Sequence, residues 1–554
     1  MTKVQTKYKT SDEVDFVIIG SGAAGGVLAK ELSTNGFRVV VLEQGPYLKE
    51  SDLVHDEIKV LQEDLLTNHP ELQPNTFRKT ADENAKRQRV IAYGRCVGGT
   101  SVHFTANYWR FHEIDFVERS RIGTIPGTGL ADWPVTYADL EPYYTKVEWE
   151  IGVSGLAGTS PFDPPRSKPY PMPPLPVKSS GVIFEGAARK LGLHPFPAPM
   201  AILSQPRVGR SACVNCGFCF GFGCEVGAKS SALASVIPQA ERTGRCEIRP
   251  NAYVFRIETD AAGRAKGAAY FDEHKDTHLQ KAKAVVVCAN GAETPRLLLL
   301  SANKHFPDGL ANSSGLVGKY LMFNTSARSV GLFEHPLNDY KGFTDSRVLH
   351  DFYELDPQKV GFYGGGGLDA RFDFTPYFFA LTGLPPGTAQ WGRSFKAALS
   401  HNFARTMEIH CGGTSLPLET NSFSLDSDLK DAWGLPALRT TYKDHPDDLK
   451  LIHWLNAQAL EIFDAAGAVK KWSRPIGEQE FAVHLLGTCR MGCDPKTSVI
   501  NPDHRTHDIK NLFLCDGSSF VTSGRGQPTM TIQALAYRAA DRITTLAKHG
   551  DLGA

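Results

Sequence analysis

Four cysteines stand within twelve residues of this 554-residue chain, at Cys213, Cys216, Cys219 and Cys224. Thiolates at two-residue spacing converge easily on one metal ion or cluster. The spacing C-x2-C-x2-C-x4-C is more typical of iron–sulfur ligation, with three or four thiols as ligands, than of the two separated pairs of a zinc ribbon. Disulfides, free structural thiols and zinc are the alternatives that the spacing leaves open.

A second pattern, at residues 15–47, has the chemistry of a dinucleotide site. Its apolar run 16–19 predicts a buried parallel strand that stops at Gly20, Gly22 and Gly25 of a G-x-G-x-x-G turn. Gly20 permits the tight turn, Gly22 lets the backbone approach a pyrophosphate, and Gly25 lets the following helix pack on the strand. The N–H groups at the start of that helix then face the anion.

The strand predicted at residues 37–42 ends in Glu43, which stands 18 positions after Gly25. A carboxylate at this point accepts hydrogen bonds from a ribose diol and repels a 2′-phosphate, so NADP is disfavoured. The order of strand, glycine turn, helix, second strand and acidic residue is that of a dinucleotide-binding site. The sequence therefore predicts dinucleotide binding.

The loop at residues 93–110 offers Gly98 and Gly99, whose bare backbone can lie against a flat ring or a phosphate. Ser101 and His103 follow in the same segment. His103 stands between two apolar residues, where a lone histidine is more often a packed structural residue than a reactive one.

The composition restricts the partners and the compartment. Lysine plus arginine equals aspartate plus glutamate at 60 each, so no net field steers the chain to nucleic acid. The longest apolar runs are too short to span a bilayer. The polar start MTKVQTKYKTSDEVD has no apolar h-region, which predicts a cytoplasmic chain without a signal peptide of its own. Export to the periplasm or the membrane surface on a signal-bearing partner is left open.

The elements that must position these residues belong to an α/β chain that is longer than one core usually grows, which predicts two joined domains. Eight prolines between residues 160 and 177 predict an extended crossing. FSLDSD and LRTTYKD predict a second sheet, and a helix is predicted to begin near Thr294. The predicted parts are dinucleotide-binding segments at 13–155, 201–311 with the cysteine run, and 481–554, a linker or lid at 156–200, and an α+β substrate domain at 312–480.

Further motifs carry a family resemblance over nearly the whole chain. They are GRCVGGTS, WPVTYADLEPYY, NGAETPRLLLL, HLLGTCRMG and the final NLFLCDGSSF. With the N-terminal turn, they resemble the glucose-methanol-choline (GMC) oxidoreductase family. Within that family, the cysteine run, YPMPPLP and GLANSSGLVGK are most similar to the flavoprotein subunits of fructose, gluconate and glucose dehydrogenases.

The resemblance implies FAD on a discontinuous Rossmann-like domain, facing a second β-sheet domain for substrate. It implies a small chaperone-like subunit and a cytochrome electron acceptor as partners. The implied FAD contacts are Gly20, Gly22 and Gly25 at the pyrophosphate, Glu43 at the adenosine ribose, Val254 at the adenine, Gly98, Gly99, Ser101 and His103 in the loop at 93–110, and Asp516, Thr529 and Met530 around the ribityl chain and flavin ring.

The same resemblance implies alcohol oxidation by hydride transfer, with His484 of HLLGTC as the base. A neutral imidazole with a pKa near roughly 6.5 can take the hydroxyl proton of an alcohol. Gln527 departs from the His or Asn that the family usually has before its proline. Glutamine can donate a hydrogen bond to the substrate oxygen but cannot act as a base, so proton transfer falls on His484 alone.

His103 also resembles, by its place four residues after Gly99, the flavin-linked histidine of choline oxidase and pyranose 2-oxidase. This implies a covalent bond to the flavin, and a packed histidine beside the ring is the alternative.

Rival functions differ in what happens to the electrons. A dehydrogenase passing them through the cysteine run is the leading interpretation, an oxidase that uses oxygen is the second, and a lyase or photodecarboxylase on the same fold is the third. The fold alone does not separate them. The cysteine run has no purpose in a lyase, which favours electron transfer.

Overall fold

The computed structural model describes residues 7–552, so the first six residues of the polar N-terminal stretch and the last two of the chain lie outside the described residues. The strands in this range are β1 (Val14–Ile19), β2 (Val39–Leu42), β3 (Asn75–Arg78), β4 (Lys86–Arg87), β5 (Phe196–Pro197), β6 (Cys246–Arg249), β7 (Tyr253–Thr259), β8 (Ala265–Phe271), β9 (Thr277–Val287), β10 (Thr325–Leu332), β11 (Asp345–Leu349), β12 (Gly366–Arg371), β13 (Thr406–Gly413), β14 (Ser422–Lys430), β15 (Pro436–Thr441), β16 (Lys470–Ser473) and β17 (Leu512–Leu514).

The helices in the same range are α1 (Ala23–Thr34), α2 (Glu113–Phe116), α3 (Glu118–Ile122), α4 (Tyr137–Ile151), α5 (Ser179–Lys190), α6 (Val236–Arg242), α7 (Asn290–Leu300), α8 (Pro357–Val360), α9 (Pro376–Thr382), α10 (Gly392–Phe403), α11 (Pro446–Ala466) and α12 (Thr529–Lys548). None of the helices within residues 7–552 is long and apolar enough to cross a membrane.

The first sheet contains the dinucleotide pattern. Its parallel strands run in the order β6, β2, β1, β9 and β17, and β8 and β7 extend it as an antiparallel pair. Strand β9 is long enough to serve both parts, because its first half pairs with β8 and its second half lies between β1 and β17. Strands β1, β2 and β17 and the second half of β9 are buried and apolar, as both faces of such a sheet are covered, whereas the edge strand β6 contains the ion pair of Glu247 and Arg249. The predicted α/β class is confirmed.

The second sheet has six antiparallel strands in the order β16, β10, β13, β12, β11 and β5. Side chains alternate across it. Met407, Ile409 and Cys411 of β13 pack in the core with Leu451 and Leu455 of α11. The residues between them therefore point away from that core, toward the first sheet. Within the stretch predicted as a linker or lid, α5 and β5 pack on this sheet, and residues 156–178 contain neither helix nor strand.

Two expectations need correction. FSLDSD and LRTTYKD do pair, as β14 and β15, but they form a separate four-stranded sheet with β3 and β4 because β15 pairs in parallel with β3 from the first part of the chain. Helix α7 begins at Asn290 and not near Thr294. The Asn290 side-chain oxygen accepts hydrogen bonds from the backbone N–H groups of Ala292 and Glu293, which satisfies the first turn.

Candidate active site

A cavity of about 670 Å³ lies between the first and second sheets. We call its two sides the nucleotide wall, made by Gly20, Gly22, Glu43, Gly99, Val254 and Asp516, and the substrate wall, made by Asn324, Arg328, Arg371, His410 and His484. Among the predicted site residues, Ser101, His103, Gln527 and Thr529 also line the cavity. Gly25, Gly98 and Met530 lie behind its surface, in contact with the protein itself.

The glycines of the nucleotide wall differ in what surrounds them. A Cβ on Gly20 would stand 2.4 Å from the carbonyl oxygen of Cys288, and one on Gly25 would stand 2.0 Å from the carbonyl oxygen of Gly20. A Cβ on Gly22 would meet nothing closer than the Cα of Gly99 at 3.9 Å, although Gly22 lines the cavity. The protein therefore requires Gly20 and Gly25, while the bare backbone at Gly22 leaves room for a ligand such as the pyrophosphate of FAD.

Two carboxylates of the nucleotide wall are held by the backbone around them. Glu43 accepts from the N–H and hydroxyl of Ser21 and from the N–H of Gly45, at 2.7 to 3.0 Å. Asp516 accepts from the hydroxyl of Thr294 at 2.6 Å and from the N–H of Ser518 at 2.8 Å. Burial is the largest influence on both and raises the pKa of each carboxyl. These contacts fix both carboxylates in place at the cavity surface.

His103 and Asn107 line the cavity, and each has polar side-chain atoms without a hydrogen-bond partner among the described residues. Nε2 of His103 and both side-chain atoms of Asn107 are buried without a hydrogen-bond partner among residues 7–552. Burial, and then the charge of Lys229, lowers the pKa of His103 to about 4, so its imidazole is neutral at physiological pH. Buried polar groups normally have partners, so these atoms fit a polar ligand such as the flavin ring.

His484 has its tautomer fixed by Asn324. The Asn324 amide nitrogen donates to the carbonyls of Gly413, Ser523 and Gly524, at 3.1 to 3.3 Å, so its oxygen must face Nδ1 of His484 at 3.2 Å. Nδ1 therefore carries the proton and Nε2 carries the lone pair. Burial, and then His410 and Arg371, lowers the pKa of His484 to about 4. The result is a neutral imidazole with an available Nε2, which is the form that a general base requires.

Gln527 and Thr529 stand where helix α12 begins. The Gln527 amide makes no hydrogen bond within the described part of the chain, and it lines the cavity with Pro528 and Thr529. No side chain caps this helix, so its first N–H groups are free to meet an acceptor. Met530 lies within the helix, and its side chain is buried in the core.

The cysteine run is an irregular loop that reaches the same cavity. Phe220 and Gly221 line the cavity, and the Gly221 N–H donates to the carbonyl of His103 at 3.0 Å. All eleven cysteines are free; in the run, Cys216 is exposed and the other three are half-buried. Burial raises the pKa of the Cys219 thiol to about 12, and the three other thiols of the run add to that rise.

The four thiols are thus neighbours, but residues 7–552 contain no group of three His, Cys, Asp or Glu side chains placed to hold a metal ion. Lys229 lies beside them. Its ammonium is buried and donates only to the carbonyls of Phe104, Cys219 and Phe222, at 2.7 to 3.0 Å. A buried cation without a carboxylate partner is costly, and a negative group in the thiol cluster would compensate it.

Sequence reasoning missed Asn107, Asn324, Arg371 and His410. Asn107 stands in the quoted loop at 93–110, where a lone amide among aromatic residues was an available signal. The other three come from separate strands or strand starts, and no local pattern marks them.

Comparisons with known proteins show which family this chain resembles. Two family models, both described as GMC oxidoreductase, match residues 179–324 and 417–536, and a model described as NAD(P)-binding Rossmann-like domain matches residues 18–48. The 2-methyl-1,2-propanediol dehydrogenase of Mycolicibacterium austroafricanum is 35% identical over 97% of this chain and 96% of its own length. The fructose dehydrogenase large subunit of Gluconobacter japonicus is 32% identical over 97% and 98%. The structure of a formate oxidase variant from Aspergillus oryzae has a TM-score of 0.68 at 16% identity, over 98% of this chain and 100% of that chain, and this likeness shows the fold alone.

Proposed function

This chain belongs to the GMC oxidoreductase family, as its motifs predict, and we propose that it is an FAD-dependent dehydrogenase that oxidises a CH–OH group of a sugar, polyol or related alcohol. The observation that carries the proposal is the neutral, oriented imidazole of His484 at the surface of the cavity.

In the proposed reaction, His484 Nε2 takes the hydroxyl proton of the alcohol as its carbonyl forms. The Gln527 amide donates a hydrogen bond to the same oxygen and holds it in place. Asn324 keeps the proton of the imidazole on Nδ1, so Nε2 is always the atom that receives the proton of the alcohol. When bound, FAD supplies the acceptor for the hydride that leaves the carbinol carbon. Gly20, Gly22, Gly25, Glu43, Gly98, Gly99, Ser101, Val254, Asp516, Thr529 and Met530 are the residues proposed to hold it.

The test is an anaerobic titration of the purified protein with sugars, polyols and aryl alcohols while flavin absorbance is followed. Bleaching by an alcohol supports the proposal. A second titration in air then distinguishes the proposed dehydrogenase from the rival oxidase. Oxygen consumption with peroxide release would make the protein an oxidase. No bleaching by any alcohol would favour a non-redox function and overturn the proposal.

The proposal includes a covalent bond between Nε2 of His103 and the 8α-methyl carbon of the flavin, which would replace one methyl C–H bond, with the two electrons released reducing the flavin ring itself. A neutral imidazole with a free Nε2 is the nucleophile that such a bond needs. Acid-denatured protein should keep its yellow fluorescence on a gel, and His103→Ala should release the flavin. Release of all flavin from the wild type would make His103 only a neighbour of the ring.

The proposal also includes an iron–sulfur cluster held by Cys213, Cys216, Cys219 and Cys224 as the route of electrons to a cytochrome or quinone partner. The crowding of the thiols, the uncompensated Lys229 and the contact with His103 support it. Ligation requires the thiols to move closer, and residues 213–224 contain no helix or strand that would have to break for them to do so.

Metal and sulfide analysis of anaerobically purified protein tests this part. Iron with acid-labile sulfide supports the cluster, whereas zinc alone, or neither metal nor sulfide, contradicts it. Cys219→Ser should leave flavin bleaching by alcohol intact while stopping reduction of an external acceptor.

A further inference from the structure

The substrate wall contains a buried network of charged side chains on the face of the six-stranded sheet that is turned away from α11. Asp369 lies at its centre. One carboxylate oxygen accepts from Nε of Arg371 at 2.7 Å, and the other is 3.0 Å from Nδ1 of His410. Asp369 and His410 are directly paired across β12 and β13, and Arg371 is two residues further on the same face. One carboxylate therefore fixes a guanidinium and an imidazole next to each other.

The network joins three arginines to four carboxyl groups in one buried cluster. Its arginines are Arg328, Arg371 and Arg474, and its carboxylates are Asp345, Asp369, Asp373 and Glu408. Burial, opposed by Arg371, raises the pKa of Asp345 to about 8. Each arginine is already paired with a carboxyl group of the network. A charged ligand group would therefore find no unpaired opposite charge in this buried place, so the network favours an uncharged one.

Arg371 and His410 both line the cavity, and each has one nitrogen that makes no hydrogen bond among the described residues. Nη2 of Arg371 is buried and makes no hydrogen bond, and the Arg371 side chain is only 3% exposed. In His410, Nδ1–H must donate to the Asp369 carboxylate, so Nε2 keeps its lone pair. Burial, and then Arg371 and Arg328, holds the pKa of His410 well below its usual value, so this lone pair stays free. Arg371 thus offers a free donor and His410 a free acceptor, and the two residues lie on the paired strands β12 and β13.

We propose that Arg371 and His410 form a subsite for a second hydroxyl group of the substrate, which accepts from Arg371 Nη2 and donates to His410 Nε2. A hydroxyl is the common uncharged group that does both through one atom. A carboxylate or carbonyl has no proton for His410, an ammonium has no lone pair for Arg371, and a methyl group leaves both buried atoms unpaired. The subsite rests on the proposed alcohol oxidation, in which His484 deprotonates the reacting hydroxyl and Gln527 donates a hydrogen bond to its oxygen. The proposed substrates of the protein are therefore diols and polyols.

The experiment uses two pairs of ligands that differ by one hydroxyl. The first pair, 2-methylpropane-1,2-diol and 2-methylpropan-1-ol, compares rates of anaerobic flavin bleaching. The second pair, 2,3-dimethylbutane-2,3-diol and 2,3-dimethylbutan-2-ol, has no hydrogen on a carbinol carbon, so it reports binding alone through the change in flavin absorbance. We expect the wild type to prefer the diol roughly tenfold to a hundredfold in each pair.

His410→Asn is the main variant, because the shorter amide can still donate to Asp369 but has no atom at the place of Nε2. Arg371→Lys keeps the positive charge beside Asp345 and Asp369 and removes the second guanidinium nitrogen. In each variant the preference for the diol should fall to within about threefold. His350→Asn is the matched control, since His350 is a buried histidine of the same region that does not line the cavity, and it should keep the wild-type preference.

The subsite would be overturned if both variants kept the wild-type preference for the diol. This includes the case in which a variant loses the same factor in rate or affinity with the diol and with the mono-alcohol. If simple alcohols bleach the flavin faster than diols, the subsite is also overturned, but the proposed alcohol oxidation is not. If no alcohol bleaches the flavin, the proposed function fails, and the binding pair alone then decides the subsite by whether His410→Asn weakens the diol more than the mono-alcohol.

Discussion

The nucleotide wall and the substrate wall face the same cavity but are built from different chemistry. The nucleotide wall consists largely of main chain, with glycines at Gly20, Gly22 and Gly99 and carboxylates held by neighbouring N–H groups. The substrate wall consists of polar side chains, namely two arginines, two neutral histidines and an amide, and three of them extend from an antiparallel sheet whose own N–H and C=O groups are used between strands. At Gly20 and Gly99 the first wall cannot accept a side chain without moving backbone, whereas the second wall can change one side chain at a time.

This difference explains how one fold can keep a cofactor and vary its substrate. A main-chain cradle fits one ligand and tolerates few substitutions, since its shape depends on atoms that every residue shares. A side-chain wall is adjusted by replacing residues such as Arg371 and His410 while the strands keep their pairing. Substitutions on the two walls should therefore fail in different ways.

The largest effect is expected at Gly25. In Gly25→Ala the new Cβ would stand 2.0 Å from a backbone oxygen, and the turn must move, at a cost of about 3 kcal/mol or more in the free energy of unfolding. Chemical denaturation should record this loss together with the loss of FAD. Gly22→Ala is the matched control, with nothing closer than 3.9 Å. It should fold like the wild type and bind FAD more weakly. Equal stability of both variants would contradict the distinction between the two glycines.

On the substrate wall, His484→Ala should leave folding and FAD content intact and slow flavin bleaching by alcohol roughly a hundredfold to ten-thousandfold, the usual range for a positioned base. Stopped-flow absorbance under anaerobic conditions measures this. His484→Gln restores a hydrogen-bonding group without a base and should be equally slow. Recovery of the rate in His484→Gln would mean that the residue only holds the substrate.

A smaller effect is expected at Asn324, which acts through His484. Asn324→Ala removes the partner of Nδ1, so the imidazole loses its fixed tautomer, and bleaching should slow roughly tenfold to a hundredfold. Three carbonyls also lose a donor, so stability should fall by about 1 to 2 kcal/mol. A variant that loses stability but keeps the wild-type rate and its dependence on pH would show that Asn324 has a structural role alone.

The two walls also differ in how well the sequence predicts them. The glycine turn and Glu43 can be predicted from the sequence because their spacing is local and each glycine stands where a side chain would clash or would block the ligand. Arg371 and His410 are not readable, since strands far apart in sequence bring them together and only the register of β12 and β13 makes them neighbours. The same reason explains why the sequence predicts the pairing of β14 with β15 but not the pairing of β15 with β3. Helix α7 begins earlier than the sequence predicts, because the Asn290 side chain accepts hydrogen bonds from its first turn.

The central claim is that the neutral imidazole of His484 takes the proton of the alcohol. The most direct test is the rate of anaerobic flavin bleaching by a saturating alcohol, measured against pH by rapid pH jump. Burial, His410 and Arg371 lower the pKa of His484 to about 4, so the base stays neutral well below the usual value for histidine. The account predicts a constant rate from about pH 8 to about pH 5 and a tenfold fall for each unit below about pH 4. A midpoint near roughly 6.5, the ordinary histidine value, would contradict it.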